Sequence, residues 1–145
     1  MNDLILQNLE VGRVDIALEN MPTPPAAISA AAHTVLIAEI HTRILRMDPT
    51  ADRAWTLCTA ALAVAGTPGA RVGDTVDFSI INIGTAGADE IITLAAGTGG
   101  TLVGSGAVLT SDPVNDAFSS GSGLFRLQFD NVTASSEAIS VYRLA

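Results

Sequence analysis

The sequence predicts a mainly β protein: an antiparallel β-sandwich of jelly-roll type, with one short helix and an N-terminal arm. Three observations carry that prediction. From Val72 to Ala145, short runs alternate apolar and polar residues. Gly, Asp, Asn, Thr and Ser interrupt those runs at regular intervals, as tight turns between strands require. One Ala-rich run carries the start and stop residues of a short helix. A period of two sends successive side chains to opposite faces, so each alternating run has one side for a core and one for water.

Residues 1–25 read as an arm or early strand and residues 26–145 as the sandwich domain. Within the arm, Asp15–Leu18 suits a short strand and Leu4, Ile5 and Leu9 a helical turn, until the prolines of MPTPPAA end any regular element. Thr34–Met47 (TVLIAEIHTRILRM) is apolar on both alternating sets, a pattern shared by a strand buried on both sides and a short helix. Its β-branched residues and the following MDPTADRA turn favour a strand over Ile40–Met47. A short strand follows at Trp55–Cys58. Thr59 then stands as N-cap before AALAVAG, and Gly66 and Pro68 close a helix of about two turns, which must pack on a sheet to persist.

The remaining elements are strands. In Thr75–Ile83, Val76, Phe78 and Ile80 oppose Asp77 and Ser79; in Leu124–Asp130, Phe125, Leu127 and Phe129 oppose Arg126, Gln128 and Asp130. Ile91–Leu94, Thr101–Val103, Ala107–Thr110 and Ala138–Leu144 complete the set. Gly84–Asp89 and Ala95–Gly100 read as turns. Ser111–Gly123 is too polar and Gly-rich for a core strand and reads as a protruding loop.

Composition narrows the function classes. A chain of 145 residues can bury roughly two-thirds of its unfolded surface, enough for one core without covalent staples. The single cysteine, Cys58, has no internal partner and reads as a small buried hydrophobe. The longest apolar stretch, Pro24–Ile40, is broken by Ser29, His33, Thr34 and Glu39, so it does not suit a membrane span. The first residues, with Asp3 and no basic cluster, lack the pattern of a secretory signal. Net charge is −8, with seven arginines and no lysine, which argues against nucleic acid as a partner.

Hydrophobic residues make up 48% of the chain but aromatics only 4%, so the apolar mass is aliphatic. Aliphatic surface beyond what one core needs is expected to meet copies of the chain or a partner. Arginine forms rigid bidentate contacts, which makes Arg43, Arg46 and Arg53 candidate subunit contacts. Tyr142 and Leu144 join them, because the last strand is apolar on both sides.

No motif points to catalysis, a cofactor or a resident metal. Gly97–Gly106 (GTGGTLVGSG) lacks the Lys-Ser/Thr ending of a phosphate loop and reads as a hairpin turn and strand. His33 and His41 flank Glu39 without zinc-site spacing. Asp89 and Glu90 read as solvated turn formers, as do Asp112, Asn115 and Asp116, the one set able to hold a weak calcium. Asn131-Val132-Thr133 matches a glycosylation sequon but reads as a turn.

Longer strings resemble a known group. RILRMDPTADRAWTLCTAALAVAGTPGARVGDTVDFSIINIG, then EIITLAAGTGGTLVGSG and the closing FRLQFDNVTASSEAISVYRL, resemble a module of tailed-bacteriophage capsid decoration (cement) proteins and related virion proteins. The matching features are the Arg46-x-Asp48-Pro49 turn, the Thr59–Ala61 helix start, Val72–Asn82, Leu94–Gly104 and Ala138–Leu144. Residues 1–29 and the insert at 111–122 have no counterpart in that pattern. The resemblance implies a β-sandwich that trimerises on the outer surface of a virus head, with itself and the major capsid protein as partners. Its other branch implies a head-fibre or tail-associated module that recognises a host glycan, with the 111–123 loop as its reader.

Overall fold

The structure is a computed structural model that describes residues 27–28, 32–84, 90–110 and 121–145. The arm, the turn at 85–89 and the insert at 111–120, with its calcium candidates, lie outside the described residues. Among the described residues nine strands run β1 (Ala32–Val35), β2 (Ile44–Met47), β3 (Arg53–Leu57), β4 (Thr75–Asn82), β5 (Ile91–Ala95), β6 (Gly100–Val103), β7 (Ala107–Leu109), β8 (Ser122–Asn131) and β9 (Ala138–Arg143). Two short helices, α1 (Ile37–Ile40) and α2 (Ala60–Ala65), sit among them.

The strands form two sheets around one core. A four-stranded sheet is ordered β1-β3-β5-β7, and a five-stranded sheet β2-β4-β8-β9-β6. Alternation decides which side chains go in. On β8, Phe125, Leu127 and Phe129 are fully buried while Leu124 and Asp130 face out. Each buried Phe or Leu contributes about 1.5–3 kcal/mol over its exposed state. Phe78 of β4 stacks on Phe125, with centroids 5.6 Å apart, and Trp55 of β3 fills the other sheet's side of the same cluster.

The expected two-sheet sandwich is present, but its strands are not all antiparallel. From β1 to β8, consecutive strands alternate between the sheets. In three of these returns to the starting sheet the chain comes back in its original direction, whereas β7 returns beside β5 reversed. Hence β1 pairs with β3, β3 with β5 and β2 with β4 in parallel, and β6 also lies parallel to β9. Only β4–β8, β5–β7 and β8–β9 are antiparallel pairs among the described strands. The antiparallel jelly roll is therefore replaced by a mixed sandwich.

Three local expectations change for related reasons. Thr34–Met47 is neither one strand nor one helix. It supplies the end of β1 to one sheet and β2 to the other, with α1 between them. Thr42 Oγ1 donates to the Glu39 carbonyl at 2.6 Å, and Arg43 adopts a left-handed φ of 67°, which stops a strand from starting at Ile40. Among the described residues the expected single helix becomes two. The Ala95–Gly100 turn joins strands of different sheets rather than making a hairpin. Gly97 lies so close to the carbonyls of Leu57 and Cys58 that a Cβ there would collide with both.

The capped helix forms as expected. Thr59 Oγ1 accepts from the Leu62 N–H at 3.3 Å, and the Ala60 N–H donates to the Thr98 carbonyl at 2.9 Å. Ala60 and Ala63 face the core, which supplies the packing a two-turn helix needs. The sequon is a turn: the Thr133 N–H donates to Asn131 Oδ1 at 2.9 Å.

Candidate functional site

Large aliphatic side chains gather on the outward face of the five-stranded sheet. Register fixes their neighbours. Ile44 pairs with Ser79 and Ser79 with Leu124. The Leu144 N–H then donates to the Leu124 carbonyl at 2.9 Å, which continues the same rank. A second rank runs Asp77, Arg126, Tyr142 and Val103. Ile44, Leu124, Val103 and Leu144 are 38%, 37%, 44% and 45% exposed. The four-stranded sheet turns out mainly small residues, Ala32, Thr34, Ala54, Thr56 and Thr93, with Leu109 of β7 as its exposed large aliphatic.

The face carries defined charges. Arg126 Nε and Nη2 donate to the two Asp77 oxygens at 2.6 and 2.8 Å across paired strands. That bidentate contact holds the Asp77 carboxyl below the usual carboxylate range, with a smaller contribution from nearby Arg43. Of the five residues expected at subunit contacts, Arg46, Tyr142 and Leu144 lie on this face and Arg43 at its margin beside β2. Arg53 does not join them: it opens β3 in the other sheet, and its Nη2 donates to Thr50 Oγ1 at 2.9 Å. Ile44, Leu124 and Val103 went unnoticed in the sequence, although each is the outward member of an alternating run.

Two polar ties hold the sheets in register beneath this face. Asn82 at the end of β4 is 3% exposed. Its Nδ2 donates to the Glu90 carbonyl at 2.9 Å and the Val108 carbonyl at 3.1 Å, and its Oδ1 accepts from the Gly84 N–H at 3.1 Å. Arg143 at the end of β9 turns inward, 4.9 Å from the Phe125 centroid, and its Nη1 donates to the Ala107 carbonyl at 2.9 Å. Both ties reach from the five-stranded sheet to the four-stranded one.

The remaining chemical groups are divided between separate surroundings. His33 Nε2 lies 3.1 and 3.0 Å from the two Glu39 oxygens, and a carboxylate only accepts, so Nε2 carries the proton. Glu39 Oε2 also accepts from the Leu36 N–H at 2.7 Å, which fixes the start of α1. His41 instead faces Thr67 Oγ1 at 3.2 Å. Among the described residues no group of three His, Cys, Asp or Glu side chains is placed to hold a metal. Among the same residues no helix is long and apolar enough to cross a membrane. A shallow depression of about 330 Å³ at the start of α2 is lined by Thr59, Thr98, Ser135 and Glu137.

Cys58 is 2% exposed, and burial pushes its thiol pKa up. Ellman's reagent is expected to leave the native thiol unmodified and to titrate one thiol per chain in denaturant. Rapid labelling of the native protein would contradict this buried placement.

His41 couples stability to pH. Burial lowers its pKa below 6.5, and neighbouring Arg43 lowers it further. The neutral imidazole is therefore favoured in the folded protein, and the unfolded chain binds the proton first as pH falls. Stability from this group is complete above 6.5 and declines below it until the folded-state pKa is passed. Urea midpoints for the wild type and His41→Gln at pH 7.5 and about 5.5 should show a smaller acid loss in the variant. Equal losses would remove His41 from the account.

No family model, curated protein or solved structure compared with the chain matches it.

Proposed function

We propose that the chain is a structural virion protein: a capsid decoration (cement) protein that trimerises on the head surface and bridges neighbouring major-capsid subunits. The observation that carries this reading is the outward face of the five-stranded sheet. It is a pleated surface with Ile44, Leu124, Leu144 and Val103 exposed together, held on a frame tied by Asn82 and Arg143. Exposed aliphatic groups in one patch suit protein contact, and a bridging protein works by contact alone. Trimerisation then multiplies each weak footprint on the shell through avidity. The resemblance of residues 30–145 to decoration modules names the assembly in which such bridging is useful.

The glycan-reading alternative draws less support. Sugar recognition favours exposed aromatic stacking surfaces, and Trp55 is fully buried, which leaves Tyr142 as the partly exposed Trp or Tyr side chain. The test is direct. Light scattering on the purified chain should give three chain masses, and gradient-purified particles should contain the protein on their outer surface by electron microscopy. A stable monomer, or particles lacking the protein, would sink the proposal.

A further inference from the structure

The four edge strands of the two sheets are not alike. An edge strand turns every second residue's N–H and C=O away from its neighbour, and those groups must find another partner or water. On β2, Thr42 Oγ1 donates to the Ile44 carbonyl at 3.1 Å, and the Ile28 N–H donates to the Arg46 carbonyl at 2.8 Å. On β7, the Ala107 N–H donates to Ser105 Oγ at 3.2 Å, and the Ala107 carbonyl accepts from Arg143 Nη1 at 2.9 Å. The chain's own groups occupy both of these edges.

The edges of β1 and β6 differ. Val35 turns its carbonyl toward β3, where it accepts from the Cys58 N–H at 2.9 Å, so Ala32 and Thr34 turn theirs outward. Gly99 turns its carbonyl toward β9, where it accepts from the Ile139 N–H at 3.1 Å, so Gly100 and Leu102 turn theirs outward. The Gly100 N–H donates back to the Gly97 carbonyl at 2.9 Å. Among the described residues nothing is bonded to the main-chain groups of Ala32, Thr34 and Leu102 on these edges, or to the Gly100 carbonyl. Each strand is four residues long. Neither carries Pro, Lys, Arg, Asp or Glu, the residues that keep a second strand off an edge.

On the homotrimeric reading above, we propose that β6 of one copy pairs edge to edge with β1 of the next. Within one chain the two open edges belong to different sheets, so their union takes a second copy. The contact is head-to-tail because the edges are unlike. Two-fold pairing of β6 with β6 would leave every β1 open, whereas a head-to-tail contact closes into a ring when the rotation permits and leaves neither edge open. Main-chain hydrogen bonds between the Thr34 and Leu102 edges form the seam. The outward aliphatic face of the five-stranded sheet then stays available to the shell.

Hydrogen–deuterium exchange on the full-length chain, above and below the concentration at which the trimer dissociates, tests the seam. The Thr34 and Leu102 amides are expected to slow together on assembly. Thr34→Pro removes an N–H that no strand of its own chain uses. Its circular dichroism should match the wild type, while the dissociation concentration rises by about tenfold or more. If that variant does not fold, exchange in the wild type decides alone. Amides that exchange equally in trimer and monomer overturn the seam while the trimer stands. So does protection that persists in the monomer, a sign that the chain covers its own edge, and so does a folded Thr34→Pro chain that assembles as the wild type does. A wild type that is monomeric at every concentration overturns both seam and trimer, so the failures are distinguishable.

Discussion

Phe125→Ala is expected to cost about 3–5 kcal/mol of folding stability, the loss that follows truncation of a fully buried ring. Phe125 is fully buried on β8, at the centre of the five-stranded sheet. It stacks on Phe78 and lies beneath the Arg143 guanidinium. Truncation removes the ring's burial, opens a cavity between β4 and β8, and strips an inward-turned arginine of its aromatic surface. Domains of this kind have about 5–15 kcal/mol in total, so the variant should be close to unfolding at physiological temperature. Urea denaturation at one fixed protein concentration measures it, because an assembling protein gains apparent stability by mass action. A loss below about 1 kcal/mol would mean that the core closes around the site far better than its packing implies.

Asn82 should come next, for a different reason. Asn82→Leu keeps the branching at Cγ but leaves the Glu90 and Val108 carbonyls and the Gly84 N–H without their side-chain partner. Only the Val108 bond is buried, the other two being half-buried; a buried group left unsatisfied costs about 1–3 kcal/mol and a half-buried one less, so a total loss of about 2–4 kcal/mol is expected. Asn82→Asp separates polarity from pairing. Its carboxylate still accepts from Gly84 but turns an acceptor toward two carbonyls. Burial and those carbonyls raise its folded-state pKa, so this variant should regain stability as pH falls below that raised value and on down to the ordinary carboxylate range, where the unfolded chain is protonated as well. If Asn82→Leu were neutral in urea melts, Asn82 would not be the tie between the sheets.

These two residues show how unevenly the fold was legible. Phe125 is evident from the alternation Phe125-Arg126-Leu127-Gln128-Phe129, which assigns faces without any knowledge of partners. Asn82 carries no such signal. It follows the inward residues Phe78 and Ile80 at the same spacing, and its partners are 8 and 26 residues away. The Thr59 cap was readable because a cap is local, joining residues three apart. The mixed pairing was not, because a strand's period says which side is buried and nothing about its neighbour. The candidate contact residues divide the same way: Tyr142 and Leu144 were visible as outward positions of a two-sided run, while Arg43 and Arg46 were brought beside them only by β4 and β8.

The strands of Val72–Ala145, their inward faces, the capped α2 and the surplus of aliphatic surface were determined by the sequence alone. Those properties depend on short-range periodicity and backbone chemistry, which a few neighbouring residues carry. Tertiary structure decided the rest: the alternation between sheets, the parallel direction of four strand pairs, the division of Thr34–Met47 between two sheets, and the gathering of Ile44, Leu124, Leu144 and Val103 on one face. These depend on contacts between residues far apart in the chain, which exist only once the connections have closed and the two sheets have packed.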